Sequence, residues 1–383
     1  MIKPIKLLML RYLYADDAAR LLGISRATLY SYVSRGRLAV YHAGDDRRSR
    51  YLREDIERLL RLKAPGRKPE RIAAASLAWG QPVLDTGLSG VAEGSLHYRG
   101  QSASALADTA SLEEVAALLW ACDAAAFDAP APDTGSAWAQ LNQSLQSASC
   151  ADRAIALTAL GRNGISETDS AAAAVALLRL VTASLLGTAP CQHAIHRQFA
   201  TAWSLDAPAS EQVRAALVLS ADHELNVSTF TARCIASAGA DLGACVLGGL
   251  SAVSGTAHGG QSTEVEAWLD QMAGGAPLEA GAPGFGHPLY PAGDPRATKL
   301  LSLLTLDPSM AHLLAQAAVR GWPPPNIDLA LVLLRRQLGL ARGAAFALFA
   351  AGRTVGWLAH ALEQRRDGQL IRPRARYLER VGP

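Results

Sequence analysis

Two histidines near the middle of the chain sit in glycine-rich turns, His258 in Gly255-Thr-Ala-His258-Gly-Gly260 and His287 in Gly284-Phe-Gly-His287. Arg296 follows in Asp294-Pro-Arg296, and a lone acid, Asp328, comes after the Pro323-Pro-Pro-Asn326 segment. Glycine lets backbone turn tightly and approach a ligand closely. An imidazole held in such a turn can donate to, or accept from, a substrate carbonyl without steric cover. Together the set suits proton abstraction beside a carbonyl, with an anionic partner held by arginine.

Each of these residues also has an ordinary role open to it. The two histidines could be turn residues, Asp328 could be a helix N-cap, and Arg296 could pair only with Asp294. Arg353, on an apolar helical run, is harder to dismiss, because a buried guanidinium needs an anion.

The elements that must position these groups read as helices. The chain has 383 residues, enough for a large core and for one large plus one small domain. It is rich in Ala and Leu, good helix formers, so a mainly α fold is expected. Helical patterns appear near 151–161, 168–187, 191–203 and 209–222, and Ser111-Leu-Glu-Glu114 offers a capping box. Residues 83–100, punctuated by Gly87, Gly90 and Gly94, read as a hairpin-like opening of the body. Residues 124–150 carry no clear pattern.

The N-terminus lacks a secretory pattern. The apolar stretch 329–362 is broken by Arg335, Arg336, Arg342 and Arg353, which reads as buried core and not as a membrane span. Five cysteines, scattered and without metal-ligand spacing, read as reduced thiols in the cytoplasm. Neither a metal nor a resident cofactor is expected.

Net charge divides unevenly. Residues 1–70 hold sixteen Lys/Arg against eight Asp/Glu, a net of +8, whereas the whole chain is +3, so the remainder is −5. A basic head on an acidic body suggests a nucleic-acid module joined to something else. Residues 16–24 read as a short helix ending in a glycine turn, and Ser25 as the cap of a second helix, Arg26 to Arg35. Ala18, Ala19, Leu22, Leu29 and Val33 form its apolar set. A strand-like run at 38–42, a basic turn at 44–50, a returning strand at 51–52 and a closing helix at 55–62 follow. This head, residues 1–65, resembles the winged helix-turn-helix domains of the MerR and excisionase type, carried by Ser25-Arg-Ala-Thr-Leu-Tyr30 and Arg50-Tyr-Leu-Arg-Glu-Asp-Ile56. The resemblance implies DNA binding through Arg26, Ser31, Arg47, Arg48 and Arg50. A helical adaptor for another protein surface is the competing reading. Residues 66–79 read as a linker.

The body, residues 80–383, resembles citrate synthases of the bacterial form. Matching strings run in family order: Tyr98-Arg-Gly100, Ala221-Asp-His-Glu-Leu-Asn226 with Ser228-Thr-Phe230, the two histidine turns, Asp294-Pro-Arg296 and Pro325-Asn-Ile-Asp328. Arg353-Thr-Val-Gly-Trp-Leu-Ala-His-Ala-Leu-Glu-Gln364 and Ile371-Arg-Pro-Arg-Ala-Arg-Tyr377 complete the series. The resemblance implies a large helical domain, a small helical subdomain of about 222–325, and a closable cleft between them. It implies Asp328 as catalytic base, His258 as donor to the thioester carbonyl, and His287 as the acid at the ketone of oxaloacetate. It further implies His223, Arg296 and Arg353 as substrate-binding, with Arg372 lent across a homodimer interface. The implied reaction is condensation of acetyl-CoA with oxaloacetate in the tricarboxylic acid cycle, and propionyl-CoA is the alternative donor of a 2-methylcitrate synthase. A regulator that senses citrate or a CoA ester is the other reading. His193, His196, His312 and His360 are expected to be structural. Two departures stand out: Pro288 and Pro291 replace an Arg and a Lys of the family's loop, and the basic head is an addition.

Overall fold

The structure is a computed structural model that describes residues 12–22, 24–34, 38, 40–43, 46–52, 56, 84–166, 169–278 and 281–375. The chain divides into two compact units, Met1–Leu84 and Asp85–Pro383. The proposed linker, 66–79, lies outside the described residues, as does all of the closing helix except Ile56.

In the head, β1 (Tyr12–Tyr14) leads directly into α1 (Ala15–Leu22), and α2 (Arg26–Ser34) follows. Ser25 Oγ accepts the backbone N–H of Thr28 at 3.2 Å, the capping expected from the sequence. β2 (Tyr41–Ala43) and β3 (Asp46–Leu52) then form an antiparallel hairpin, and β1 pairs along the other edge of β3, with Leu13 opposite Tyr51. Ala18, Ala19, Leu22, Leu29 and Tyr51 are buried together. The basic run 47–50 is therefore central strand and not a turn. β1 escapes sequence reading because its pairing partner is some forty residues away and only three of its residues carry a strand signal.

The body opens with β4 (Ser89–Ala92), β5 (Ser95–Tyr98) and β6 (Gln101–Ser102), an antiparallel meander. Helices follow: α3 (Ala103–Thr109), α4 (Leu112–Trp120), α5 (Gly135–Ser144), α6 (Cys150–Gly161), α7 (Ala171–Leu186), α8 (Ile195–Ala202) and α9 (Ala207–Ser220). After them come α10 (Val227–Ser237), α11 (Leu242–Val253), α12 (Gln261–Ala273), α13 (Pro295–Leu301), α14 (Pro308–Val319), α15 (Ile327–Gln337) and α16 (Ala344–Asp367). The Ser111–Glu114 capping box forms in full at the start of α4.

The centre of this body is α16. Ten of its 24 residues are Ala or Leu, its last turn carries Arg365 and Arg366 where the helix dipole favours cations, and Gly368 ends it at φ 67°. It packs against α4, α7, α9, α10, α11 and α15. It is the one helix among the described residues long and apolar enough to cross a membrane, and that apolar window is wholly buried by its neighbours. All five cysteines are free. Burial pushes the thiols of Cys150 up to about 11 and Cys245 up to about 12, so both are held as unreactive thiols.

Candidate active site

Three turns and three helices bring the candidate residues together. Between α11 and α12 the chain folds tightly enough that Gly260 N donates to both Val253 O and Gly255 O. A Cβ on Gly259 would lie 2.8 Å from the Val253 carbonyl oxygen, and one on Gly260 would lie 2.7 Å from that of Ser254. Glycine is required at both places by the backbone, and the result is His258 presented at a turn with its ring edge-on to Phe349. His258 Nε2 lies 2.8 Å from Ser228 Oγ, which also accepts the Trp357 indole N–H at 3.0 Å. The Ser228 hydroxyl itself donates to Asn226 Oδ1 at 2.7 Å, an oxygen that also accepts Thr229 N–H at 3.1 Å.

The turn carrying His287 is laced to the segment before α15. Gly286 N donates to Pro324 O, Asn326 N donates to Gly284 O, and the Asn326 side chain donates to Gly286 O. His287 Nδ1 accepts the N–H of Leu289 at 3.2 Å, which puts the neutral ring's proton on Nε2. His223 lies beneath, buried, with Nε2 2.9 Å from Tyr290 Oη and its ring edge-on to His287 at 5.0 Å between centroids.

All three imidazoles are held neutral near pH 7. Burial, then the positive charges of Arg353 and Arg296, lowers His258 to about 4. Burial and Arg296 lower His287 to about 4, and burial with both arginines holds His223 well below the ordinary range.

Asp328 stands at the second position of α15. The N-cap is Asn326, whose Oδ1 accepts Asp328 N–H at 3.0 Å and Leu329 N–H at 3.3 Å. The capping role that the sequence left open for Asp328 is thus filled by another residue, and the Asp328 carboxyl is left for other work. Burial lifts it to about 6, outweighing the attraction of Arg296 and Arg353.

The two arginines differ. Arg296 is buried and forked onto Asp294, Nε to Oδ1 at 2.9 Å and Nη2 to Oδ2 at 2.8 Å, and the same carboxylate accepts Ile327 N–H. The local pairing with Asp294 is therefore real, and the attraction of Asp294 holds Arg296 charged. Arg353, 1% exposed, donates Nε to Ser220 O at 2.9 Å and stacks on Phe349, while its Nη2 is buried with no hydrogen-bond partner. Its burial beside Arg296 lowers it to about 10, which leaves it charged at neutral pH. A buried guanidinium with an unfilled donor is an anion site.

His223, His258, His287, Arg296, Asp328 and Arg353 are therefore one electrostatic cluster. Arg372 is not part of it within one chain and lies exposed on the tail beyond α16. Pro288 and Pro291 are exposed on the His287 loop. Sequence reading assigns no role to Ser228, Trp357, Tyr290 or Asn326. The Ser228 and Trp357 contacts bridge about 130 residues, and no local pattern announces them.

On the head, Arg26 is exposed at the start of α2, paired with Asp16 at 3.1 Å and with Tyr30 Oη at 3.2 Å. Ser31 is half-buried on the same helix. Arg47, Arg48 and Arg50 lie on β3, where Arg50 covers the Tyr14 ring. The expected basic turn is thus a strand, because β2 pairs along 46–50 and β1 along 50–52.

The family profile described as "Citrate synthase, C-terminal domain" matches residues 77–374, and one described as "Helix-turn-helix domain" matches residues 12–61. "Putative citrate synthase 2" of Mycobacterium tuberculosis is 39% identical over 203 residues, covering 45% of this chain and 52% of that protein. "Citrate synthase 2" of Bacillus subtilis is 34% identical over 190 residues, 44% of this chain and 50% of its own length. "2-methylcitrate synthase" of Shewanella oneidensis is 30% identical over 182 residues, 42% and 48% respectively. The chain spans about half the length of the curated relatives it matches. The crystal structure of citrate synthase from Thermotoga maritima shares the fold with a TM-score of 0.64 at 23% identity, covering 79% of this chain and 94% of that one. With a profile match across well over half of its residues, the chain belongs to the citrate synthase family.

Proposed function

We propose that the body condenses an acyl-CoA thioester with oxaloacetate, acetyl-CoA being the first donor to test and propionyl-CoA the second. The observation that carries this reading is the unpartnered Nη2 of buried Arg353, set among neutral imidazoles and beside a carboxyl raised to about 6. Asp328 would take a proton from the carbon next to the thioester carbonyl. His258 would stabilise the enolate oxygen as charge develops there. The enol carbon would then attack the ketone carbon of oxaloacetate, while His287 Nε2–H delivers a proton to that oxygen. Arg353, Arg296 and His223 would hold the carboxylates. Water then hydrolyses the thioester and releases CoA. No resident cofactor enters this scheme. Closure of a small subdomain, about 222–325, over a larger one belongs to the same proposal, as do a homodimer completed by Arg372 and work in the cytoplasm.

The test is CoA release with oxaloacetate and either thioester. Turnover with one of them supports the reading, and none with either overturns it. One extra methylene changes discrimination by only ~1–3 kcal/mol, so the ratio of the two specificity constants must be measured. Ser228→Ala would leave His258 Nε2 and the Trp357 indole without their shared partner. A fall in kcat of about tenfold or more is expected, read by steady-state turnover with folding checked by circular dichroism.

The helix-turn-helix profile favours a second role for the head, binding duplex DNA. Phosphate contacts by its arginines would make that binding salt-dependent, with log affinity falling at a slope of about −0.9 per phosphate neutralised. A gel-shift series from low to moderate salt is expected to show this, and salt-independent or absent binding would remove the reading. Citrate binding without turnover would instead support a regulator whose body is a sensor.

A further inference from the structure

Beneath the candidate site, α16 turns one polar stripe inward, Arg353, Trp357, His360 and Gln364, and ends it at the exposed Asp367, the five spaced four, three, four and three apart, which is one face of a helix. Each makes a distant contact. Arg353 donates to Ser220 O, Trp357 to Ser228 Oγ, Gln364 Oε1 accepts Arg233 Nε at 2.7 Å, and Asp367 accepts Arg233 Nη2 at 3.2 Å. His360, fully buried, sits between these, with Nε2 3.0 Å from Asp222 Oδ2 and Nδ1 3.5 Å from Arg233 Nη1. A guanidinium can only donate, so Nδ1 is the acceptor and Nε2–H points at Asp222.

Asp222 is itself fully buried and adjoins His223 in the chain. Its Oδ2 also accepts Ser89 Oγ at 2.5 Å, and its Oδ1 has no hydrogen-bond partner. Ser89 Oγ in turn accepts Glu224 N–H, and Glu224 Oε1 accepts Val91 N–H at 3.0 Å. Glu224 stands at φ 50°, a conformation a non-glycine residue adopts only when its surroundings hold it. On the other side the turn lies flat against α16, where Gly356 N donates to Ala221 O at 2.9 Å. A Cβ on Gly356 would fall inside contact distance of Asp222 Oδ1. The turn bearing His223 is thus fixed from β4 and from α16, with the Asp222 carboxylate in the middle. That carboxylate is also the foremost negative charge acting on Arg353.

We propose that His360 is a positioning residue for the dicarboxylate: by donating to buried Asp222 it fixes the 221–224 turn, with His223, against Arg353. This rests on the condensing role proposed above. His360 touches no substrate, so its influence should appear in dicarboxylate binding and leave thioester binding alone.

The test uses the full chain. For wild type, His360→Leu, His360→Gln and Asp222→Asn, the Kd of oxaloacetate is measured by calorimetry and both KM values by turnover, with melting curves as a control on folding. His360→Leu is expected to raise the Kd and KM of oxaloacetate at least tenfold and to move the acetyl-CoA KM less than threefold. His360→Gln, whose amide N–H can replace Nε2–H, is expected to stay within threefold of wild type for both. Should His360→Leu not fold, Asp222→Asn carries the same expectation, since it keeps the size and removes the charge. A folded His360→Leu with wild-type oxaloacetate affinity, an equal rise in both KM values, or no rescue by Gln overturns the proposal. A wild-type protein that binds no oxaloacetate overturns the condensing role as well, so the two failures are told apart.

Discussion

Replacing Asp328 with asparagine is expected to abolish nearly all condensation, a loss of about 10²–10⁴-fold in kcat, and at the same time to raise the melting temperature at neutral pH. The loss follows from removing the only carboxylate assigned to proton abstraction. The gain follows from its environment. The folded protein holds Asp328 at about 6, above the 3.8 of a free aspartate, so it favours the protonated form. The stability this group contributes is complete below about 3.8 and is lost as pH rises through about 6. At pH 7 and above, the ionised carboxylate costs on the order of 1–2 kcal/mol once its partial exposure is allowed for. Asparagine keeps the shape and removes that cost. The variant should therefore melt higher than wild type at pH 7.5 and together with it near pH 4. Equal melting temperatures at both values would sink the environmental argument, and wild-type turnover would sink the assignment of the base. In the wild type, kcat should rise with pH through an acid limb near 6 as the base loses its proton.

Replacing Arg353 with methionine is expected to weaken dicarboxylate binding by about 30-fold to several thousand-fold. That range corresponds to the ~2–5 kcal/mol lost when one partner of a buried, hydrogen-bonded charge pair is truncated. The unliganded protein should lose little stability, or gain some, because Nη2 of Arg353 is buried with nothing to receive it. Calorimetry and thermal shift read the two effects together. Oxaloacetate should raise the melting temperature of the wild type and leave that of Arg353→Met unmoved. An undiminished ligand-induced shift in the variant would show that the diacid sits elsewhere.

Much of the site is legible in the order and spacing of the chemistry-bearing residues. Each of His258, His287, Arg296, Asp328 and Arg353 lies in a short segment whose own glycines, prolines or helical period mark it. Local rules also suffice for Ser111 and Ser25, whose caps depend on residues three positions away. What stays hidden depends on distance along the chain. β1 is a strand only because β3 pairs with it, and the basic run 47–50 reads as a turn until β2 pairs along it and β1 joins at Arg50. His360 reads as an ordinary structural histidine, since nothing near it in sequence shows Asp222 or Arg233 waiting across more than 120 residues. The N-cap at Asn326 marks the limit of local reading from the other side. Two polar residues two positions apart could each cap the helix, and only the backbone geometry selects one.

The inward stripe of α16 makes that helix a key cut for one register. Five side chains meet four partners, Ser220, Ser228, Asp222 and Arg233, and one added residue would turn every tooth beyond it by about 100°. An insertion ahead of Arg353 would therefore swing the cation, the indole, the imidazole and the two distal acceptors out of place in a single stroke. Length changes inside 344–367 should be far less tolerated than changes of equal size in the loops around it.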